Sequence, residues 1–126
     1  MFPGCVDYRE DTLHITTYDA SIVDLSAASI MQINCCQYDD PLQDEEFFIL
    51  FVSEQFWLIG PFVKHALGAI YALRDKHPEI PWRKMVVHRM PWKLREPGCF
   101  GLRLFPIAGL GVFPMSDLPA RTMIEG

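Results

Sequence analysis

Phe47-Phe48-Ile49-Leu50-Phe51-Val52, Ser53-Glu54-Gln55, Phe56-Trp57-Leu58-Ile59: the reading of residues 47–59 decides the fold. Two apolar runs flank three polar residues. As two strands they make a hairpin closed by Ser53-Glu54-Gln55, without the glycine that such loops usually carry. As one helix they begin at Asp44, with Asp44, Glu45 and Glu46 at the positive end of the helix dipole. Aromatic and β-branched residues dominate both runs, and they fit a pleated sheet better than a helix, so the hairpin is the favoured reading. The apolar character extends to Val63, but a membrane span needs about 20 mostly apolar residues. Glu54 near the middle and Gly60-Pro61 near the end point to a protein core and to no membrane partner.

Outward from this stretch, residues 62–77 carry helical periodicity. Val63, Ala66, Leu67, Ile70 and Leu73 form one stripe, and Lys64, His65, Gly68, Asp75 and Lys76 lie off it. Pro61 suits a helix start, Arg74, Lys76 and His77 suit the negative end of the dipole, and Pro78 stops the helix. Towards the N-terminus, Thr12 to Asp19 and Ile30 to Tyr38 alternate with period two and read as strands. Asp39-Asp40-Pro41 ends the second. Residues 21–29 read as a helical turn. Lys84 to Met90 reads as a strand, Pro97-Gly98 as a turn, Leu102 to Ile107 as a short apolar run weakened by Pro106, and residues 109–126 as irregular. The expected fold is α+β: a largely antiparallel sheet with one main helix (about 62–77) packed on one face, with residues 1–126 as a single domain.

The chain has 126 residues, half of them hydrophobic, which suffices for a core without a disulfide or metal staple. Its charge is uneven. Residues 1–60 hold eleven acids and one base, a balance of −10, and residues 61–126 hold ten bases and five acids, a balance of +5. In a domain this small the halves are expected to interleave and neutralise each other. The four cysteines, Cys5, Cys35, Cys36 and Cys99, form no CxxC pair. Adjacent Cys35 and Cys36 point to opposite faces if they lie on a strand. The N-terminus lacks the basic start and apolar run of a secretory signal, so reduced thiols and a cytoplasmic location are expected.

No reaction is spelled out by a motif. Cysteine and histidine spacings do not pair for a structural metal, and neither GxSxG nor a phosphate-binding loop occurs, so no metal and no cofactor is expected. Cys99, following Pro97-Gly98 with Lys93, Arg95 and Arg103 nearby, is the one candidate for an activated thiol.

Two surfaces remain. The first is an acidic cluster of Asp39, Asp40, Asp44, Glu45 and Glu46, whose charge would steer a basic protein partner. The second is a basic, aromatic segment, 82–103. There Trp82, Arg83, Lys84, Arg89, Trp92, Lys93 and Arg95 combine phosphate-binding cations with flat rings that stack on unpaired bases. The primary expectation is a small non-catalytic protein-binding module of the inhibitor or immunity kind, which covers a protein partner. The alternative is an RNA or single-stranded nucleic-acid binding protein, with RNA cleavage in scope, using segment 82–103. The apolar content also leaves a homodimer open.

Leu73-Arg74-Asp75-Lys76-His77-Pro78-Glu79-Ile80-Pro81-Trp82-Arg83-Lys84-Met85 resembles a segment of the HEPN ribonuclease toxins of bacterial toxin–antitoxin pairs. In that family an Ile-Pro-Trp-Arg segment precedes a helix bearing an Arg and, a few residues on, a His. Arg89 stands where the Arg would. Pro91-Trp92-Lys93-Leu94-Arg95 offers no His, and Pro91 and Pro97 do not fit a helix interior. The resemblance implies an all-helical fold, against the alternation of the first half, so neither its fold nor its activity is carried over.

Overall fold

The computed structural model describes residues 3–97, 102–103 and 105–126, and everything said of structure refers to these. The chain is mixed α+β. Nine strands form two mostly antiparallel sheets beside one main helix among the described residues. Strands β1 (Cys5–Arg9), β2 (Thr12–Thr16) and β3 (Ile22–Ser26) make an antiparallel meander. The other sheet has the order β8-β6-β5-β4-β7-β9. Its members are β4 (Gln32–Tyr38), β5 (Phe47–Val52), β6 (Gln55–Ile59), β7 (Trp82–Val87), β8 (Leu110–Pro114) and β9 (Met123–Glu125). The helix α1 (Ala66–Lys76) leads from β6 to β7.

Residues 47–59 are a hairpin, β5 pairing with β6 from Phe48↔Ile59 to Val52↔Gln55. Its loop is one residue shorter than the sequence suggested. Gln55 already pairs, leaving Ser53-Glu54 to turn the chain, and Ser53 accepts a left-handed φ of 54° where glycine is usual. Both runs are apolar throughout because the sheet is covered on both faces. Phe48, Leu50, Trp57 and Ile59 enter one core, and Phe47, Ile49, Phe56 and Leu58 enter the other. β4 behaves the same way. Cys35 joins the first core and Cys36 the second, so the adjacent cysteines do face apart.

Helix α1 and the meander share the first face. Val6, Leu13 and Ile15 from the meander meet Ala66, Ala69, Ile70 and Leu73 from the helix. The helix is shorter than its sequence periodicity. Residues 62–65 are turns and a bridge, with His65 left-handed at φ 63° just before the first helical residue. Lys64 there bridges Cys5 in parallel. Phe62 and Leu67, one before the helix and one assigned to its apolar stripe, are exposed, while Ala69 is buried in Leu67's stead. The buried stripe is thus made of smaller side chains, which lets the helix lie close to β1.

Other sequence expectations shift. Residues 22–26 form β3, and only 27–29 make the helical turn expected over 21–29. The strand expected at Lys84 to Met90 is Trp82–Val87 and runs parallel to β4, an exception to the antiparallel rule. It also stands where the HEPN resemblance would require a helix further on. β8 and β9 lie in the tail read as irregular. Each borrows its partner from a distant strand, so neither needed a strong pattern of its own. The halves of opposite charge do interleave: β7 pairs with β4, and β8 with β6. Loops cover the second face, with Met90, Leu94 and Ala108 buried against the sheet. Gly60 permits this, since a Cβ there would meet the Ala108 carbonyl oxygen at 2.1 Å. No helix among the described residues is long and apolar enough to cross a membrane.

Candidate functional site

Because β4 and β7 run parallel, from Ile33↔Trp82 to Tyr38↔Val87, the loops that follow them leave the same end of the sheet. The acidic loop 39–46 follows β4, and the basic loop 88–97 follows β7. They are tied together: Asp39 donates its backbone N–H to the Val87 carbonyl at 2.9 Å, and His88 Nδ1 lies 2.9 Å from Asp39 Oδ2.

The five acidic residues do not form one surface. Asp40 turns the loop, its carboxylate accepting from the Leu42 backbone N–H at 2.9 Å and from Gln43 Nε2 at 3.3 Å. That turn drives Leu42 into solvent at 88% exposure, the highest among the large apolar side chains described. Asp44 and Glu45 are exposed and form no ion pair among the described residues. Glu46 points inward. Cys35 Sγ donates to its Oε2 at 2.8 Å, and Tyr71 Oη donates to both carboxylate oxygens at 3.0 and 3.1 Å. Burial, then the neighbouring Glu46 carboxylate, pushes the Cys35 thiol up to about 12. The same two causes push the Tyr71 phenol up. This network ties β4, the start of β5 and α1 together, and the raised pKa disfavours the thiolate of Cys35.

The basic segment is split by the sheet. Trp82 lies on the helix side, under the Arg74 guanidinium at 4.2 Å and against Tyr71 at 5.4 Å, with its indole N–H buried and without a partner among the described residues. Lys84 follows it on that face, while Arg83 alternates to the other. Arg89, Trp92 and Arg95 come together on the loop-covered side, where they line an open cleft of about 580 Å³. Arg95 is fixed there, its Nε donating to the Met90 carbonyl at 2.9 Å and its guanidinium 5.8 Å from the Trp92 ring centre. Lys93 turns away towards Asp117 at 3.7 Å. Cys99 and Phe100 lie outside the described residues.

Sequence reasoning missed two contributors. Leu42 is a lone apolar residue inside an acidic run, and that isolation was its only signal. Arg121 lines the same cleft as Arg89 and has no local signal, because the β7–β9 pairing brings it there from the tail.

A third cluster lies at the opposite end of α1. His77 Nε2 is 2.9 Å from Asp11 Oδ1 and its Nδ1 is 3.2 Å from Glu79 Oε1, while Tyr8 Oη donates to Asp11 at 3.0 Å. The hydrogen bond to Asp11, then that to Glu79, raises the His77 pKa, and hydrogen bonding to His77 and Tyr8 lowers that of Asp11. This clamp fastens the β1–β2 turn to the helix C-terminus. Among the described residues, no group of three or more His, Cys, Asp or Glu side chains is placed to hold a metal ion. No family model matches the chain, and no curated protein and no solved structure matches it either.

Proposed function

We propose that this chain is a non-catalytic binding module of the inhibitor or immunity kind, which covers a protein partner with the loop 39–46. The observation that carries this reading is Leu42, held out in solvent by the Asp40 turn and followed by the carboxylates of Asp44 and Glu45, which are exposed and form no ion pair among the described residues. An exposed apolar side chain in an acidic rim has the makings of an interface. The apolar tip gains from burial in a partner's pocket, and the rim charge speeds the encounter with a basic surface. Loop 39–46 is also anchored at both ends, by Asp39 to β7 and by Glu46 to the core, so little ordering entropy opposes docking.

The test is a paired capture from lysate with the tagged chain and its Leu42→Asp variant. A protein retained near stoichiometrically by the first and lost from the second, with both chains equally stable, supports this reading. The same protein retained by both removes the loop from the interface.

A second reading, RNA or single-stranded nucleic-acid binding through segment 82–103, is favoured by the convergence of Arg89, Trp92 and Arg95 on one cleft. It predicts an affinity that falls steeply with added salt.

A further inference from the structure

The last paired residues of β7 and β9 are Val87 and Met123. Just past them, the His88 N–H donates to the Thr122 carbonyl at 3.4 Å. Beyond this bond both strands have ended: Arg89 lies in the loop after β7, and Arg121 lies in a turn closed by the Thr122 N–H donating to the Pro119 carbonyl at 3.0 Å, so the two arginines reach the same cleft from loops on either side. Two like charges on one cleft repel. Both side chains are exposed, both line the cleft, and neither is paired with a carboxylate among the described residues. Arg95 adds a third guanidinium, fixed by the Met90 carbonyl and the Trp92 ring. In a chain of net charge −5, three guanidiniums on one cleft, with no ion pair to a carboxylate among the described residues, are a local reversal of sign.

The geometry points to a nucleotide-binding cleft: we propose that Arg89 and Arg121 clamp a phosphate between them while the base lies against Trp92. A phosphate held by both guanidiniums turns their repulsion into charge-assisted hydrogen bonds. Trp92 is 53% exposed, so much of its ring remains open although Arg95 approaches it. An open indole beside a phosphate clamp suits a planar base joined to its phosphate by a sugar. The cleft, about 580 Å³, has the size of a small-molecule site. Its apolar walls, Met90, Pro91 and Pro119, carry no acid that would repel the ligand. The proposal rests on the second reading above and narrows it. The ligand unit is one phosphorylated base, whether a free mononucleotide or one residue of an RNA strand, and Arg121 becomes part of the site.

The experiment is a calorimetric titration of the full chain at low salt with uridine monophosphate, adenosine monophosphate, inorganic phosphate and a short oligouridine. It is repeated on Arg121→Gln and Trp92→Ala, both checked for unchanged thermal unfolding. Arg121→Gln is expected to weaken every phosphate-bearing ligand about tenfold. Trp92→Ala is expected to weaken the nucleotides and the oligomer about tenfold and to leave inorganic phosphate unchanged. Mononucleotides that bind as tightly as one unit of the oligomer identify a free nucleotide as the ligand, and binding of the oligomer alone identifies a strand. Oligomer binding that survives both substitutions but is lost in Arg83→Gln with Lys84→Gln overturns the cleft and preserves nucleic-acid binding through the segment. No binding of any ligand overturns both.

Discussion

The two faces of the six-stranded sheet are equally apolar but differently covered. Helix α1 and the β1–β3 meander lie on one, and irregular loops carrying Met90, Leu94 and Ala108 lie on the other. The helix-covered face uses its polar groups internally. Glu46, Cys35 and Tyr71 bond one another, and His77, Asp11 and Glu79 clamp the helix end. The loop-covered face leaves Arg89, Trp92 and Arg121 open. Regular elements satisfy their own backbone and can pack tightly, whereas loops keep side chains free for a ligand. On this division the first face holds the molecule together, and the second face, with the adjoining acidic loop, is where the proposed recognition would take place.

The sharpest way to break the comparison is the same substitution on each face. Leu73 of α1 and Leu94 of the basic loop are both essentially fully buried. Leu73→Ala is expected to cost about 4–5 kcal/mol, because helix and sheet cannot close over the void, and Leu94→Ala about 2 kcal/mol, because loops relax into it. Urea unfolding measures both. Equal losses would mean that the loops are packed as rigidly as the helix.

The internal network on the first face gives the next effect. Glu46→Ala leaves the Tyr71 hydroxyl and the Cys35 thiol without their acceptor in a part-buried setting, at an expected cost of about 1 kcal/mol. Glu46→Gln keeps an acceptor and should cost less. With a thiol reagent at neutral pH, Cys35 and Cys36 should stay unmodified in the folded chain, burial having pushed both thiols up, and react on unfolding. Rapid labelling of Cys35 would show that the network opens, and rapid labelling of Cys36 that the loop-covered core does.

This division also explains what the sequence made legible. The hairpin, the helix and the opposed directions of Cys35 and Cys36 follow from local pattern, because side chains at those positions choose between water and core. β8 and β9 did not. Gly111 and Pro114 weaken the strand character of β8, and that strand forms only because β6 offers a partner. The charged clusters were legible as composition but not as geometry. Nothing in Asp44-Glu45-Glu46 says that the third carboxylate turns inward to Cys35 and Tyr71, which come from β4 and α1. Nor does anything in residues 82–103 say that Trp82 goes to one face and Trp92 to the other, since that depends on where β7 ends. Arg121 was out of reach for the same reason.

The His77 clamp gives a smaller effect with a definite sign. Its pKa is raised from 6.5, so its contribution is complete below 6.5 and fades as pH rises through the higher folded value. Asp11 and Glu79 are lowered from 3.8 and 4.5, so theirs is complete above those values and is lost as pH falls through the lower folded ones. The clamp therefore contributes fully between about pH 4.5 and 6.5. Thermal unfolding of the His77→Gln variant should lose stability in that window relative to the parent and approach it in alkaline solution. A constant difference across pH would assign His77 a packing role alone.

The smallest effect on stability is expected where the effect on recognition is largest. Asp44→Lys with Glu45→Lys alters two exposed carboxylates that pair with nothing among the described residues, so unfolding should move by no more than about 0.5 kcal/mol. Glu46 is left intact because its carboxylate belongs to the core network, and changing it would confuse steering with unfolding. Capture of a basic partner should slow by about tenfold or more at low salt, and the difference should shrink as salt screens the charges. Leu42→Asp should instead shorten the lifetime of the complex, since the apolar tip acts after the encounter. An association rate indifferent to Asp44 and Glu45, with a partner in hand, would take the acidic rim out of recognition and leave the loop-covered face as the only binding surface of the pair.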